Sequence, residues 1–423
     1  MPYELFIGLR YLKAKGKSTF VSIITFISIA GVALGVTALI VVLSVMTGFE
    51  EDLKDKILGT NAHVVVLKSG NEMGDYGQLM EKLKGFSGVV AATPFIYSQV
   101  MLSTGSSVSG VVLRGIDTKT DIRVTNLYRS IVQGRMSNLE KQILPPDGKG
   151  PALPGVIIGQ ELAKNLNLYL GDAVNIVSPM GNITPFGMIP KTKQFRVAGI
   201  FNTGMYEYDA TLAYTGLQEA QAFLSMGDAV TGIQLKVNNV YKAGEIAGKI
   251  NQGLGPPYMA RDWMQMNKNI LFALKTEKVV MFIILTLIVL VAAFGIASTL
   301  FMVVMEKTKD IAILKSLGAT SASIMKIFVL EGLIIGTAGT IIGLIGGLVI
   351  ALNMESIVNF VQNVTGFELF SKDIYYLNRF PSQVVPSDVL IISVTAILIS
   401  FVATLYPSWQ GSRLPPVEAL RYE

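Results

Sequence analysis

Cysteine is absent from the 423-residue chain, histidine occurs once, and charged residues make up only 15% of it. Without cysteine, no disulfide stabilises any exported part. With one histidine and no cysteine, a transition-metal site has almost no ligands to draw on. Because 51% of the residues are hydrophobic and concentrate in long runs, the scarcity of charge excludes an ordinary soluble enzyme and indicates a membrane protein.

Motifs for catalysis or nucleotide binding are also missing. Gly16–Thr19 (GKST) ends like a phosphate-binding loop, but that motif needs a glycine where Tyr11 stands, and a preceding strand. Ser103–Gly110 (STGSSVSG) lacks the Gly-x-Ser-x-Gly spacing, and His63 is interpreted as structural. We therefore expect no catalytic residue, metal or cofactor in this chain. The net charge of +5 comes largely from residues flanking the apolar runs, and it gives no sign of nucleic-acid binding.

Four apolar runs each supply the roughly 20 residues that a bilayer core requires. They predict membrane spans at 20–46, 279–305, 324–352 and 389–406. The first run is far longer than the apolar part of a signal peptide and three more spans follow it, which favours a retained span over a cleaved leader.

Basic residues beside the spans set the expected orientation. They precede the first span, separate the second from the third and follow the fourth: Arg10, Lys13, Lys15, Lys17, Lys307, Lys309, Lys315, Arg413 and Arg421. Both termini are therefore predicted to be cytoplasmic. The cytoplasmic parts are expected at 1–19, 306–323 and 407–423, and the exported parts at 47–278 and 353–388.

The exported segment 47–278 is large enough for one or two folded units and mixes α and β patterns. Apolar runs predict strands at 63–68, 111–114, 173–177, 195–201 and 232–237. Helical periodicity predicts helices at 75–84, 159–168 and 216–225. The predicted fold class is an α-helical membrane protein with four transmembrane helices and a large mixed α/β domain between the first two.

A Pro- and Gly-rich run at 144–155 predicts a loop between two lobes of this domain. We expect a membrane-proximal lobe from 47–125 and 226–278. The segment 126–225 is then an inserted distal lobe.

The segment Ser178–Thr192 (SPMGNITPFGMIPKT) is predicted to be a loop much longer than a usual hairpin connection. It combines prolines with large apolar residues: Pro179, Met180, Ile183, Pro185, Phe186, Met188 and Pro190. Two interpretations stay open. The loop folds back onto its own domain, or it forms a semi-rigid apolar arm that a partner protein grips.

The short charged segment between the second and third spans carries the clearest functional signal. Helical spacing places Ile311, Leu314 and Leu317 on one face. Charged residues accompany that face: Glu306, Lys309, Asp310 and Lys315. Because the chain has no nucleotide site of its own, this pattern predicts a helix that docks on a separate ATPase and receives mechanical work from it.

Glycine recurs along one face of the third span, at Gly332, Gly336, Gly339, Gly343 and Gly347. The first span has Gly31 and Gly35, also four residues apart. Such spacing lets helices approach closely. We favour helix packing over the lining of a transport route, because no ionisable residue accompanies these glycines.

The first span continues into an amphipathic stretch that ends near Ile57. This extension either braces the exported domain or forms the lip of a cavity open to lipid. The candidate lining residues of that cavity are Val42, Met46, Phe49 and Leu53.

Five motifs together resemble a known family: FIGLRY at 6–11, IAGVALGV at 29–36, VMTGFE at 45–50, DIAILKSLGAT at 310–320 and RLPPVEALRY at 413–422. Along nearly its whole length the chain is similar to lipoprotein-releasing ABC transporter permeases of the LolC/LolE type. The end motifs are shared with the wider FtsX-like or MacB-like permease group, whereas the opening motif is more particular to the lipoprotein releasers.

The resemblance implies a permease of the bacterial inner membrane with a bipartite periplasmic domain. It would pair with a LolD-like ATPase dimer that binds ATP and Mg, extract acylated lipoproteins from membrane lipid, and hand them to a LolA-like chaperone. In LolC-type subunits a projecting loop binds that chaperone, and 179–190 falls where this loop belongs. The resemblance leaves open whether the second subunit is LolE-like or another copy of this chain.

Two other functions remain as alternatives. One is a mechanotransmission permease for efflux or envelope signalling, which an outer-membrane duct partner would support. The other is a membrane scaffold without a transport role, which would not depend on the helix around Lys309 and Lys315.

Overall fold

The computed structural model describes residues 3–4, 6–7, 19–70, 72–105, 107–145, 148–184, 187–366 and 380–415. Asp52–Leu271 forms one compact unit, the α/β unit, and the long helices that flank it in sequence form a second, the membrane unit.

The elements follow one another along the chain as α1 (Thr19–Thr60), β1 (Val64–Lys68), α2 (Tyr76–Lys84), β2 (Val89–Ser103), β3 (Val108–Ile116), α3 (Thr118–Asp121), α4 (Leu127–Ser130), β4 (Ile131–Gly134), β5 (Gln142–Ile143), β6 (Leu153–Gly159), α5 (Gln160–Leu166), β7 (Ala173–Thr184), β8 (Gly187–Phe201), α6 (Tyr206–Thr211), β9 (Leu212–Gly216), α7 (Leu217–Leu224), β10 (Gly232–Val237), α8 (Ala243–Leu254), β11 (Tyr258–Asp262), α9 (Trp263–Met266), α10 (Lys268–Glu306), α11 (Thr308–Ser316), α12 (Ser321–Leu352), α13 (Met354–Thr365) and α14 (Pro386–Ser412). Short 3-10 turns occupy Met136–Glu140 and Val240–Lys242.

In the described part of the chain, four helices are long and apolar enough to cross a membrane: α1, α10, α12 and α14. They coincide with the four spans expected from the apolar runs, and the predicted fold class is confirmed. The first helix has 42 residues and is therefore about 63 Å long. Because a bilayer core is only about 30 Å thick, α1 continues well past the membrane.

The five glycines that the sequence places on one face of α12 lie in two contacts with neighbouring helices. Gly332 and Gly336 face α14, where a Cβ on Gly336 would stand 2.5 Å from the Cβ of Ser400. Gly343 faces α1, where a Cβ would stand 2.6 Å from the carbonyl oxygen of Ala33. The backbone carbonyl oxygen of Gly343 also accepts a hydrogen bond of 3.0 Å from the hydroxyl of Thr37 in α1. Without glycine at these points, neither neighbour could approach so closely.

Gly35 and Gly31 of α1 face α10. A Cβ on Gly35 would lie 3.1 Å from Val289, and one on Gly31 would lie 3.6 Å from Ala292. A hydrogen bond of 2.7 Å between the hydroxyls of Ser28 and Thr299 joins the same two helices. The first membrane helix is thus packed against both α10 and α12.

A stripe of small polar residues lies along α14, and two of them, Ser400 and Thr404, face Gly336 and Gly332 of α12; the sequence interpretation missed it. Ser400, Thr404, Ser408 and Ser412 recur every four residues and are all buried. The hydroxyls of Thr404 and Ser408 donate to carbonyls within their own helix, at 2.7 Å each. Small residues that recur every four positions indicate a helix-packing face, and this pattern could have identified the stripe. It is hard to notice because the residues around it form an apolar run.

The strands of the α/β unit belong to one hydrogen-bonded sheet, whose outer part runs in the order β11-β1-β10-β2 and is antiparallel. Beyond this part the sheet closes on itself, because β2, β3, β9, β6, β8 and β7 pair in turn and β7 returns to β2. The closed part is a six-stranded barrel that shares β2 with the open sheet. Closure leaves the barrel strands without exposed edges.

Each part of the sheet has its own core. Inward-facing side chains fill the barrel: Val100, Leu102, Leu113, Val156, Ile158, Val174, Ile176, Phe195 and Val197. The open sheet packs beneath α2 and α8, and its buried residues include Leu83, Leu235, Ile250 and Trp263. A third cluster, which includes Ile116, Leu139 and Phe201, packs on strands of the barrel, so three hydrophobic clusters lie along one continuous sheet in the described residues.

The structure divides this unit differently from the predicted lobes. The segment 126–225 supplies β6, β7, β8 and β9 to the barrel, but β2 and β3 come from 89–116, which the sequence interpretation placed in the membrane-proximal lobe. The reason is the length of β2: Val89–Phe95 pairs with β10 in the open sheet, and Met101–Ser103 pairs with β7 in the barrel.

Asp121, at the end of α3, is a buried carboxylate in the α/β unit and is only 1% exposed. Its Oδ2 accepts a hydrogen bond of 2.6 Å from the Thr125 hydroxyl. Burial removes water from the charged form and raises the pKa of Asp121 to about 6, an effect that the Thr125 hydrogen bond and the charge of Arg114 only partly offset.

Replacing Gly343 should separate α12 from α1. We expect Gly343→Ala to destabilise the membrane unit by about 1–3 kcal/mol, because the added methyl group meets backbone rather than a flexible side chain. The measurement is the midpoint of thermal aggregation in detergent, followed by fluorescence-detected size exclusion. Val349→Ile, which adds one methyl group at an exposed position of the same helix, is the matched control. Equal midpoints for the two variants would contradict the packing argument.

Asp121→Asn should change how the stability of the α/β unit depends on pH. An unfolded aspartate loses its proton near 3.8 and the folded one near 6. Between these values the folded state binds more protons, so stability falls as pH rises, by about 3 kcal/mol in total from this group. The asparagine variant should lack that fall.

Guanidinium titrations at about pH 4 and about pH 7 test this expectation. Trp263 is buried in the α/β unit, and the background substitution Trp409→Phe leaves it as the sole tryptophan reporter. If the unfolding free energy changed with pH by the same amount in the Asp121→Asn variant and in the protein with Asp121, the carboxylate would not titrate as inferred.

Candidate functional site

The segment between the second and third membrane helices forms the short helix α11 (Thr308–Ser316). Asp310 lies in its first turn and Lys315 in its last, an arrangement that complements the helix dipole. The chain then turns at Gly318, whose φ of +101° favours glycine. The hydroxyl of Thr320 accepts the backbone N–H of Ser323 at 3.2 Å and caps α12.

One face of α11 packs against the chain's own membrane helices. Ile311 is only 1% exposed and belongs to a buried cluster with residues of α10 and α12, among them Val304, Ile324 and Phe328. Leu314 is half-buried against the same cluster. This corrects the expectation for Ile311: it cannot serve as an apolar anchor for a partner, because the helices joined to α11 at both ends already cover it.

The opposite face of α11 is open. Leu317 is 81% exposed and Ile313 is 50% exposed. Glu306 and Lys309 are exposed beside them, whereas Asp310 forms an ion pair of 3.6 Å with Lys307. We call Glu306, Lys309, Ile313 and Leu317 the coupling face. Sequence periodicity identified Leu317 but missed Ile313, which lies outside the face that contains Ile311 and Leu314.

Lys315 contacts the fourth membrane helix. Its ammonium group donates hydrogen bonds to the carbonyl oxygens of Ser412 at 2.6 Å and Leu414 at 2.9 Å. These carbonyls lie at the C-terminal end of α14, where backbone acceptors lack partners within the helix and the helix dipole is negative. Lys315, predicted as a contact to a partner, therefore holds the end of α14 against α11, which we call the coupling helix.

The predicted long loop at 178–192 is a β-ribbon formed by β7 and β8, which corrects the sequence interpretation. The strands pair from Ser178 with Lys191, and again from Asn182 with Ile189 as far as Thr184 with Gly187. Between these two stretches the register shifts. Pro179 and Pro190 lie at this irregularity, where proline does not interrupt the ladder of hydrogen bonds.

The base of the ribbon is fixed to the barrel. Lys191 donates a hydrogen bond to Ser225 at 2.7 Å, and Lys193 forms an ion pair of 2.7 Å with Glu219 of α7. Beyond Val177, β7 has no partner strand other than β8, so this part of the described hairpin extends past the barrel. We call residues 178–191 the arm.

The outer surface of the arm is apolar at the positions that the structure describes. Pro179, Ile189 and Pro190 are all exposed. Pro185 and Phe186, and the side chains of Met180, Ile183 and Met188, lie outside the described residues. Their predicted contact with a partner remains a prediction.

The four candidate cavity residues recur along α1 at intervals of four, three and four, which places them on one face of the helix. Val42, Met46, Phe49 and Leu53 are all half-buried within the chain itself. Val42 packs on the core of the membrane unit and Leu53 on the core of the open sheet. Their common face keeps part of each side chain accessible.

A polar collar joins the ends of three membrane helices. Lys278 of α10 forms an ion pair of 3.0 Å with Asp388 of α14 and donates a hydrogen bond of 3.0 Å to Thr47 of α1. Nearby, the backbone of Pro381 passes so close to Gly48 that a Cβ would stand 2.7 Å away. This glycine lets the 380–385 segment cross α1 in direct backbone contact.

Within the described ranges, no group of three or more His, Asp or Glu side chains is placed to hold a metal ion. His63 lies beside β10, where Nδ1 is 3.2 Å from the backbone of Val237, and burial lowers the pKa of its ring. Among the predicted sites, the coupling face, the arm and one face of α1 keep accessible residues.

Two family models match the chain. Residues 25–252 match the MacB-like periplasmic core domain, and residues 282–416 match the FtsX-like permease C-terminal model. The first match covers most of the α/β unit, and the second covers α10 to α14.

Individual relatives match from end to end. The lipoprotein-releasing system transmembrane protein LolC of Neisseria meningitidis serogroup B is 38% identical, over 99% of both chains. LolC of Xylella fastidiosa (strain Temecula1) is 36% identical over 100% of this chain and 99% of the relative. LolE of Haemophilus influenzae is 29% identical over 99% of both chains. The chain therefore belongs to the LolC/LolE family of lipoprotein-releasing system transmembrane proteins.

Proposed function

We propose that this chain is the membrane permease subunit of an ABC transporter that extracts lipoproteins from the bacterial inner membrane and transfers them to a periplasmic chaperone for outer-membrane delivery. The observation that carries the proposal is the end-to-end similarity to lipoprotein-releasing proteins. The coupling face and the arm support it, because they offer one surface for an energy source and one for a receiver.

The energy for extraction comes from a separate subunit. The chain has no nucleotide-binding motif, so ATP and Mg are bound by a LolD-like ATPase dimer. Leu317 and Ile313 provide the apolar contacts to this ATPase, and Glu306 and Lys309 provide charged contacts at the rim. Because Ile311 and Leu314 pack against α10 and α12, a displacement of α11 acts directly on the membrane helices.

The orientation of the chain matches this arrangement. Basic residues flank the side of the membrane on which α11 lies, and such residues are retained in the cytoplasm. Both termini and the coupling face are therefore cytoplasmic, where ATP is available. The α/β unit is periplasmic, where the chaperone receives cargo.

Cargo enters from the side. The acyl chains of a lipoprotein already lie in the membrane, so extraction requires an apolar cavity that is open to lipid rather than a polar channel. Val42, Met46, Phe49 and Leu53 form one wall of this cavity. A LolE-like permease subunit or a second copy of this chain supplies the opposite wall.

The arm tethers the chaperone before release. Each acyl methylene exposed to water costs about 0.8 kcal/mol, so the receiver must be in place when the chains leave the cavity. A β-ribbon is already ordered, which lowers the entropic cost of binding. Its apolar residues, including Ile189 and Phe186, contact the hydrophobic chaperone.

Leu317→Asp should uncouple the permease from its ATPase. The aspartate would be buried unpaired at the contact, which we expect to weaken binding on the order of a hundredfold. Because Leu317 is largely exposed, the fold should be retained. The measurements are titration of the ATPase onto the reconstituted permease and release of lipoprotein from proteoliposomes.

Leu317→Met, which keeps an apolar contact, is the matched control and should behave like the wild type. Full ATPase binding and full release by the Leu317→Asp protein would remove the coupling face from the mechanism. Such a result would place the contact with the ATPase elsewhere on the chain.

Phe186→Glu, or excision of 180–189, should abolish chaperone capture while ATPase activity stays at the wild-type level. We expect the Glu variant to weaken capture about thirtyfold, the loss of one contact hot spot. Pairing of Ser178 with Lys191 lies outside the excised segment, so the barrel should remain intact. Chaperone pull-down and ATPase activity are measured on the same purified complex.

Tyr241→Glu changes an exposed aromatic residue of the same α/β unit and is the matched control. Undiminished capture by both arm variants would mean that the ribbon has no part in chaperone binding.

A further inference from the structure

A cavity of about 590 Å³ lies between the second and fourth membrane helices. Its wall consists of Leu290, Ala293, Phe294 and Ala297 of α10 and Leu398, Ile399, Val402, Ala403, Tyr406 and Pro407 of α14. Only Tyr406 carries a polar atom in its side chain. Apart from the Tyr406 hydroxyl, the side chains of this wall offer no partner to a polar solute, so the occupant is apolar over most of its length.

Small residues create this space. Ala297 and Ala403 lie where larger side chains would fill the gap between the two helices, and Phe294 and Val402 form an exposed rim. Both helices are membrane spans, so the medium that meets the open side of the cavity is lipid. We call this feature the α10–α14 groove.

The groove leads to a stack of side chains at the end of α14. The rings of Tyr406 and Trp409 are 6.4 Å apart with an interplanar angle of 31°. The guanidinium carbon of Arg413 is 4.2 Å from the centre of the Trp409 ring. Spacings of three and four residues place all three side chains on one side of the helix, so the wall of the groove continues into a fixed cation.

The chemistry of this stack is that of a headgroup site. Tyrosine and tryptophan are favoured at the boundary between hydrocarbon and water. The guanidinium of Arg413 lies over the Trp409 ring, and an arginine stacked on an aromatic ring keeps its in-plane N–H groups for a phosphate. An arginine held in this way pairs with phosphate through two parallel hydrogen bonds.

The length of the groove distinguishes between possible occupants. From Leu398 to Tyr406 it spans about 12 Å of helix, close to the roughly 15 Å of hydrocarbon in one leaflet. One acyl chain fits this length from the interface to near the midplane. A transmembrane helix of a second subunit crosses about 30 Å of hydrocarbon, more than twice the length of the groove.

We propose that the α10–α14 groove is a binding site for an anionic phospholipid, with one acyl chain along the groove and the headgroup phosphate on Arg413. The site is separate from the α1 face assigned to cargo, and it does not depend on the proposed transport function. Because Arg413 stands between Ser412 and Leu414, whose carbonyls hold Lys315, the bound lipid lies beside the contact between α14 and the coupling helix.

Trp409 provides a direct reporter. The full chain is reconstituted in phosphatidylcholine bilayers that contain acyl-brominated phosphatidylglycerol or acyl-brominated phosphatidylcholine, and quenching of Trp409 is obtained by subtracting the signal of Trp409→Phe. We expect phosphatidylglycerol to bind about fivefold more strongly than phosphatidylcholine, the effect of one basic residue at an anionic lipid. Equal binding of the two lipids by the wild type would overturn the proposal.

Arginine variants test the headgroup contact. Arg413→Gln should bring the ratio of the two binding constants to about one, whereas Arg413→Lys should keep most of the preference. Lys326→Gln removes an exposed charge near the start of α12, on the same side of the membrane, and should leave the ratio unchanged. A preference that survives Arg413→Gln, or is lost equally in Lys326→Gln, would contradict the assignment to Arg413.

Two further variants test the groove itself. Ala403→Phe fills it and should reduce quenching by both lipids, while size exclusion shows the protein still monodisperse. Because the chain has no cysteine, Val402→Cys introduces a unique thiol at the rim. Efficient disulfide formation between two such chains in the membrane would show that a second copy covers the groove, and would overturn the lipid site.

Discussion

Close backbone contact along α12 is the constraint on which the membrane unit depends. Lipid tails are as apolar as leucine, so membrane helices gain little from hydrophobic burial and rely on dense packing and hydrogen bonds instead. The glycines of α12 meet α14 near one end of the helix and α1 nearer the other. Since α11 begins where α10 ends and leads into α12, the orientation of the coupling face follows from the same packing. Altering these contacts therefore changes the position of the coupling face.

In the α/β unit, the main constraint is how the arm is attached to the barrel. β7 and β8 leave the barrel as continuations of strands whose inner halves bury Ile176 and Phe195. The arm thus has no loop at its base that could act as a hinge, and Lys193 binds α7 beside it. Because β2 belongs to both the barrel and the open sheet, the arm and the sheet form parts of one hydrogen-bonded structure.

The sequence predicted the membrane helices, and each strand and helix predicted in the exported segment overlaps an element of the structure. Long apolar runs and strict periodicity are local properties of the chain, so they can be recognised without knowledge of tertiary packing. The sequence interpretation missed β2, in which Pro94 interrupts an otherwise suitable run, and it took the arm for a loop because the bulge after Ser178 breaks the alternation of side chains. The face of α11 shows the limit most clearly. Periodicity groups Ile311 with Leu317, but whether such a face meets a partner or the chain's own helices is decided by tertiary packing.

The hydrogen bonds from Lys315 to the end of α14 connect the coupling helix directly to the fourth membrane helix, without passing along the chain between them. Lys315 and Ser412 are 97 residues apart in sequence, yet the ammonium group of Lys315 is hydrogen-bonded to the carbonyl oxygen of Ser412. Helix α11 therefore contacts α14 through Lys315 and is joined in sequence to α10 and α12. Within the described residues, α10, α12 and α14 are thus linked to α11 by the chain or by Lys315, whereas α1 is held to α10 and α12 by close packing and side-chain hydrogen bonds.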